Sequence, residues 1–156
     1  MIEAPKITEV PARLAAVIHL TIPRSEIRSV MGPGLGELMA VVSAQGIGPA
    51  GPWFTHHLQM EPDVFDFEIC VPVTAPVAAA GRVEARQTPA AKAARTVYHG
   101  PYEGLAGAWG EFKKWIAAHG YLQGPDLYEC YLVGPESSSN PADWRTELTQ
   151  PLIESR

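Results

Sequence analysis

The two halves of this chain repeat one pattern of elements, and this repetition limits the fold more than any other feature of the sequence. A shift of 79 residues places Glu68 over Glu147, and each glutamate begins a Glu-x-x-x-Pro pattern. The same shift places His19, in the first strand of one half, over Tyr98 in the other half. Repetition at a fixed offset is typical of duplicated units that need each other to bury their apolar faces. Chance similarity between alternating strands is the competing explanation, and duplication is the simpler one.

The elements of each half follow the order strand, helix, strand, strand. Residues 13–22 alternate between apolar and polar side chains, as expected of a half-buried strand. Apolar residues then recur at helical spacing between Pro33, which suits a first helical turn, and Gly46, which suits the left-handed residue after a helix. The predicted strands are 13–22, 53–60, 64–73, 91–99, 126–133 and 144–150. The predicted helices are 33–45, preceded by a turn of helix at 25–31, and 102–119, and Glu61-Pro62-Asp63 is a predicted turn.

These elements predict an α+β fold, a duplicated β-α-β-β domain with a pseudo-twofold axis. We expect a single domain over residues 1–156, with one repeat over about 5–74 and a second over about 82–152. Both helices are expected to cover one face of an antiparallel sheet and to leave a ligand cleft on the other, because grooves between equivalent halves are common ligand sites. Thr74 to Arg82 is the only linker-like stretch.

Composition narrows the classes of function. The formal charge is −5 and no basic cluster is present, which disfavours direct contact with nucleic acid. No apolar run approaches the roughly 18 residues of a membrane span, and no secretory signal is recognisable. Cys70 and Cys130 lie in apolar strands, so we expect buried, reduced thiols and a cytoplasmic protein. His56 and His57 point to opposite faces of a strand, and no metal-binding motif is present, so we expect neither a metal nor a cofactor.

The second predicted helix carries Trp109 on its apolar stripe. A core position is the plain interpretation, and for the neighbouring Phe112 and Ile116 it is the one that we adopt. A large ring at the centre of a helix beneath a thin sheet would also suit the floor of a ligand cavity. In that position its indole N–H would meet a polar partner.

Three glutamates lie on predicted strands near these aromatic residues. Glu129 and Tyr131 share one face of a strand, and we expect this face to line the groove that the helices leave open. Glu147 on the next strand is in phase to join them there, and Glu68 is the counterpart of Glu147. A solvated carboxylate paired with a basic residue such as Lys92, Arg95 or Arg145 is the plain interpretation. A carboxylate among rings instead favours the binding of lipophilic cations, or acid–base chemistry by a carboxyl with a perturbed proton affinity.

Several short motifs follow one another along nearly the whole chain. They are Gly51-Pro52-Trp53-Phe54, Asp66-Phe67-Glu68-Ile69-Cys70-Val71-Pro72-Val73, Gly100-Pro101-Tyr102-Glu103-Gly104-Leu105, Ala108-Trp109, Trp115, Gly120-Tyr121, Tyr128-Glu129-Cys130-Tyr131-Leu132, Thr146-Glu147-Leu148 and Pro151-Leu152. Their order and spacing resemble the GyrI-like small-molecule-binding family, whose fold is that of the effector-binding domains of AraC-type and MerR-type regulators.

The resemblance implies the duplicated fold called SHS2, with a cleft that binds bulky aromatic and often cationic compounds. It carries the family's cleft glutamate to Glu129 first and to Glu147 second. Glu68 is a candidate only as the counterpart of Glu147 in the repeat. His57 stands near a position where the family often has tyrosine, which adds a group that titrates near neutrality. The rings that the resemblance places around the glutamate are Tyr131, Tyr98, Trp109, Phe67 and Trp53.

Three functions follow from this resemblance. The leading hypothesis is a stand-alone member of the family that captures hydrophobic aromatic compounds and so contributes to drug or toxin resistance. The first alternative is a cofactor-free hydrolase in which Glu129 and Glu147 open a strained cyclopropane by adding water. The second is an interaction protein, similar to a gyrase inhibitor, with gyrase or a regulator as its partner.

Overall fold

The computed structural model describes residues 2–60, 63–135 and 137–153. Two residues of the predicted turn, Glu61 and Pro62, lie outside the described residues. The chain forms two compact units: a central unit, Pro11–Ala90, and a terminal unit that combines Met1–Val10 with Ala91–Arg156.

The central unit is a four-stranded antiparallel sheet with one long helix packed against it. Its strands are β2 (Arg13–Pro23), β3 (Phe54–Met60), β4 (Val64–Pro72) and β5 (Glu84–Thr88), in the order β5-β2-β4-β3. The helix α1 (Ile27–Ala44) contacts β2 and β4. It buries Leu38 and Val42 in one cluster with Ile18 and Ile69 of the sheet, which fixes the helix-covered face.

The terminal unit repeats this plan. Its main strands are β1 (Lys6–Val10), β6 (Ala91–His99), β8 (Leu127–Val133) and β9 (Arg145–Ile153), in the order β1-β6-β9-β8, and the short β7 (Leu122–Gln123) pairs with β9. The helix α2 (Leu105–Ala118) buries one side, formed by Ala108, Trp109, Phe112 and Ile116. The predicted α+β class and the repeated β-α-β-β order are therefore confirmed.

Each sheet takes its edge strand from outside its own β-α-β-β segment. β1 directly precedes β2 in the chain but pairs with β6, so that Lys6 faces Arg95 and Val10 faces Ala91. β5 directly precedes β6 but pairs with β2, with Arg13 facing Thr88. The repeat limits predicted from sequence, about 5–74 and 82–152, stay a prediction.

The first helix and the predicted helical turn at 25–31 form one continuous helix. Pro33 lies inside α1, which starts at Ile27, and not in its first turn. The apolar stripe continues back from Leu35 through Val30 to Ile27, and these side chains pack on the core, while Pro33 is exposed. Their burial stabilises the extra turns despite the missing proline N–H. Gly46, with φ +68°, follows the helix as predicted.

The pairing registers also correct the predicted alignment of the first strands. Glu68 lies opposite His19, whereas Glu147 lies opposite Val97. Val97, and not Tyr98, is therefore the counterpart of His19, so the offset between β2 and β6 is one residue shorter than predicted. A one-residue difference matters because neighbouring strand residues point to opposite faces.

None of the helices in the described residues combines the length and apolar character that crossing a membrane requires. Cys70 and Cys130 are both buried, as predicted, and neither forms a disulfide.

Candidate functional site

A carboxylate with two hydrogen-bond donors lies between β8 and α2 of the terminal unit. Trp109 Nε1 donates to Glu129 Oε2 at 2.6 Å, and Tyr131 Oη donates to Glu129 Oε1 at 2.8 Å. Trp109, Glu129 and Tyr131 are called the Glu129 cluster below. The predicted polar partner of the Trp109 indole is thus Glu129, and the structure brings together three of the predicted site residues.

Strand alternation and one helical position build this cluster. Glu129 and Tyr131 are two residues apart on β8 and therefore share a face. Glu129 lies opposite Leu148, which is in the core beneath α2, so this face is the one that α2 covers. Trp109 lies on the buried side of α2 and is 9% exposed, which directs its indole toward the strand.

The charge of Glu129 has no basic counterpart nearby. In the part of the chain that the structure describes, no Lys, Arg or His nitrogen lies within 4.0 Å of its carboxylate. Lys113 contacts the cluster through its indole, with Nζ 5.9 Å from the centre of the Trp109 ring. Glu129 is half-buried and its charge is held by two neutral donors, which is an arrangement that leaves it available to a bound cation.

Further aromatic rings extend from this cluster. The Tyr102 ring makes an edge contact with Tyr131, with centroids 5.9 Å apart, and is 4.9 Å from the Trp144 ring. Tyr98, a predicted site residue, donates through its hydroxyl to the carbonyl of Pro101 at 2.7 Å. Sequence reasoning did not select Tyr102 or Trp144. The signal for Tyr102 was its place in the Gly-Pro-Tyr motif directly before α2.

Glu147 lies on the other face of the same sheet. It is opposite Cys130 on β8 and Val97 on β6, whereas Glu129 is opposite Leu148. Its carboxylate is 3.6 Å from Arg95 Nε, which agrees with the plain ion-pair interpretation. Glu129 and Glu147 therefore do not face one common site within the terminal sheet.

Glu68 forms a separate charged site in the central unit. It is 3% exposed, its Oε2 accepts a hydrogen bond from Arg86 Nε at 2.9 Å, and the same oxygen lies 2.6 Å from Arg86 Nη2 in an ion pair. His56 Nδ1 lies 3.6 Å from Oε1. Burial is the largest influence on the pKa of Glu68 and raises it, but the contacts with His56 and Arg86 outweigh burial and the pKa is lowered.

A pocket of about 280 Å³ opens beside this ion pair; its lining is His19, His56, Leu58, Glu68, Arg86, Gln87, Thr88 and Pro89. Arg86 was not predicted as the partner of Glu68, because its strand β5 was not recognised. Among the described residues, no group of three His, Cys, Asp or Glu side chains is arranged to hold a metal ion.

The remaining predicted site residues lie in the core of the central unit. Phe67 is fully buried in the cluster that α1 covers, and Trp53 packs against that cluster. The His57 ring stacks on Phe67 with centroids 5.4 Å apart, and its Nε2 is 3.2 Å from Thr55 Oγ1. Phe67 and Glu68 are sequence neighbours on β4 and so point to opposite faces.

Comparisons with known proteins agree with this fold. Residues 3–153 match the sequence profile of one family, the GyrI-like small molecule binding domain. The C-terminal domain of EcmrR is 22% identical with a TM-score of 0.84, and the match covers 97% of this chain and 98% of that domain. In a complex of EcmrR with DNA the match covers only 57% of the EcmrR chain, so this chain spans little more than half of that relative.

Two more distant structures share the fold. One is a hydrolase from Listeria innocua, 12% identical with a TM-score of 0.67, with 96% of this chain and 91% of that chain covered. The other is SAV2435 bound to tetraphenylphosphonium, 10% identical with a TM-score of 0.66, with 97% and 94% covered. No curated protein matches the chain in sequence.

Proposed function

The chain belongs to the GyrI-like small-molecule-binding family, and from this premise we propose that its Glu129 cluster binds bulky aromatic cations. The observation that carries the proposal is the contrast among the three candidate glutamates. Glu68 faces Arg86 and Glu147 faces Arg95, whereas Glu129 has two neutral donors and no basic partner among the described residues.

Physical chemistry favours a lipophilic cation at such a group. A half-buried carboxylate gains stabilisation from a positive charge brought close to it, and a large organic cation loses little hydration on entering an apolar site. The rings of Trp109 and Tyr131 add cation–π attraction and apolar contact. The complex of SAV2435 with tetraphenylphosphonium supports this ligand class, because that ion is an aromatic cation held by a protein of the same fold.

The proposed biological role is capture of such compounds in the cytoplasm, which would lower the free concentration of a drug or toxin. A hydrolase that uses Glu129 together with Glu147 is less well supported, because the two carboxylates lie on opposite faces of the terminal sheet. Hydrolysis by Glu129 alone is a separate hypothesis. Its test is the appearance of a product heavier by one water, in excess of the protein, when a cyclopropane-bearing alkylator is incubated with it. Gyrase inhibition is tested by a supercoiling assay.

The deciding experiment compares two ions of one shape and opposite charge, tetraphenylphosphonium and tetraphenylborate. Coulomb's law gives about 3 kcal/mol for charges about 6 Å apart at an effective dielectric constant of about 20. Screening at a half-buried group leaves about 1.4 kcal/mol, which is about a tenfold change in Kd. We expect calorimetry to show that Glu129→Gln weakens phosphonium binding about tenfold and does not weaken borate binding.

Glu147→Gln is the matched control, since it removes the same charge from the other face of the same sheet. It should leave phosphonium binding within about twofold of the unmodified protein. Equal losses in the two variants, or a protein that binds both ions equally well, would contradict the proposal.

A further inference from the structure

Thr146 carries a buried hydroxyl beside the Glu129 cluster. The residue is 0% exposed, and its Oγ1 has no hydrogen-bond partner within residues 2–60, 63–135 and 137–153. Buried hydroxyls in folded proteins are nearly always paired, because an unpaired one has lost its hydration without compensation. Valine has nearly the same shape and would fill this core position without that cost.

The sheet register places this hydroxyl in the proposed site. Thr146 lies directly opposite Tyr131 on β8 and Tyr98 on β6, so all three side chains share the face that α2 covers. Both tyrosine hydroxyls donate elsewhere, Tyr131 to Glu129 and Tyr98 to the carbonyl of Pro101. Thr146 is therefore opposite Tyr131, the next residue after Glu129 on the same face of β8. The Thr146 hydroxyl has no acceptor among the described residues and is available to a ligand bound at Glu129.

We propose that Thr146 determines the ligand specificity of the Glu129 site by donating a hydrogen bond to an acceptor atom on the ligand. This inference rests on the proposed function. It narrows the ligand class from aromatic cations in general to aromatic cations that carry an acceptor, such as a ring nitrogen or an ether oxygen, close to the positive charge. A site built to pair with such an atom discriminates against analogues that lack it.

One short turn contacts both strand neighbours of Thr146. Pro101 accepts the Tyr98 hydrogen bond, and the Tyr102 ring contacts Tyr131. Residues Tyr102–Gly104 form a single 3-10 turn that leads into α2.

The experiment uses four probes of nearly identical shape: tetraphenylphosphonium and the 2-, 3- and 4-pyridyl triphenylphosphonium ions, each of which replaces one ring C–H with a nitrogen. Affinities are measured for the unmodified chain, Thr146→Val, which removes the hydroxyl, and Thr146→Ser, which keeps it. We expect Thr146→Val to weaken at least one pyridyl probe about fivefold or more, as for loss of one hydrogen bond. Tetraphenylphosphonium should change less than twofold, and Thr146→Ser should keep the pyridyl preference.

A second measurement separates this role from simple packing. Without ligand, Thr146→Val should raise the Tm, because it removes an unpaired buried hydroxyl without leaving a cavity. The inference is overturned if Thr146→Val shifts all four probes by one factor or leaves all four unchanged. If that result accompanies phosphonium binding that Glu129→Gln weakens, only the role of Thr146 fails. If the unmodified chain binds none of the four ions, the proposed function fails as well.

Discussion

Replacing Arg86 with methionine should destabilise the central unit, because it removes the two guanidinium contacts of a buried carboxylate. The Glu68 side chain is 4% exposed and that of Arg86 is 41% exposed. Breaking a fully buried pair costs about 3–5 kcal/mol. Water reaches Arg86 and also reaches part of the site that it vacates, so we expect a smaller loss, about 2 kcal/mol at pH 7. For a chain of this length that loss lowers the Tm by about 4–8 °C.

The pH dependence identifies the cause. The pKa of Glu68 is lowered in the folded protein, so its ionised form contributes stability above the unfolded pKa of about 4.3 and loses it as the pH falls through the folded pKa. In the Arg86→Met variant, burial remains and the guanidinium contacts are gone. Protonation of Glu68 then removes the unpaired buried charge from the variant. The difference in Tm between the unmodified chain and Arg86→Met should therefore be largest near pH 7 and should shrink as the pH falls from about 5 to 3.

Thermal unfolding followed by circular dichroism measures these differences. The matched control is Arg82→Met, which removes the partner of Glu37 at 2.8 Å in the same unit, where the carboxylate side chain is 34% exposed instead of 4%. We expect its Tm to stay close to that of the unmodified chain. The double variant Glu68→Gln/Arg86→Met should recover most of the loss. A loss that is independent of pH, or equally large for Arg82→Met, would refute the reasoning.

Two further outcomes concern packing and thiol chemistry. Gly104→Ala should destabilise the protein by about 1–3 kcal/mol, because a Cβ at this position would overlap the Tyr98 hydroxyl. The control Gly107→Ala, whose Cβ would meet nothing within 4 Å, should raise the Tm because alanine favours the helix α2. Equal changes in Tm for the two variants would contradict this packing. Cys70 is fully buried, and burial raises the pKa of its thiol. Mass spectrometry should therefore show that iodoacetamide modifies Cys70 only at the rate at which the protein unfolds. Fast modification of the native protein would show that Cys70 is accessible to solvent.

The strands that sequence alone did not predict are edge strands. β5 runs Glu84-Ala-Arg-Gln-Thr and is exposed until Thr88, so it lacks the apolar alternation that marked β2. β1 is similarly short and partly exposed. Edge strands are held by backbone hydrogen bonds on one side only, and this pairing requires no particular pattern of side chains. Their existence and their exchanged pairing therefore emerge only from the three-dimensional structure.

The sequence predicts which residues form the candidate site, but not which face of the sheet they occupy. Alternation along β8 correctly placed Glu129 and Tyr131 together, and the need of a buried indole for a partner anticipated the bond from Trp109. Alternation does not say which face a helix covers, so the expectation that these residues lie opposite the helices does not hold within the terminal unit. The pairing of Glu147 with Arg95 depends on the register between β6 and β9. The repeat offset of 79 residues is wrong by one residue at β6, so it does not give this register.

The pairing of β1 with β6, and of β5 with β2, also fixes the order in which the sheets can be completed during synthesis on the ribosome. β1 ends at Val10, but its partner β6 begins only at Ala91. At about 5–20 residues per second, the first strand waits about 4–16 s for the residues that pair with it. The central unit is likewise missing its edge strand until Glu84–Thr88 has emerged. The central sheet is complete once the continuous stretch from Arg13 to Thr88 has emerged, whereas the terminal sheet needs β1 together with β9, which ends at Ile153. The terminal unit therefore reaches its final pairing last, late in translation.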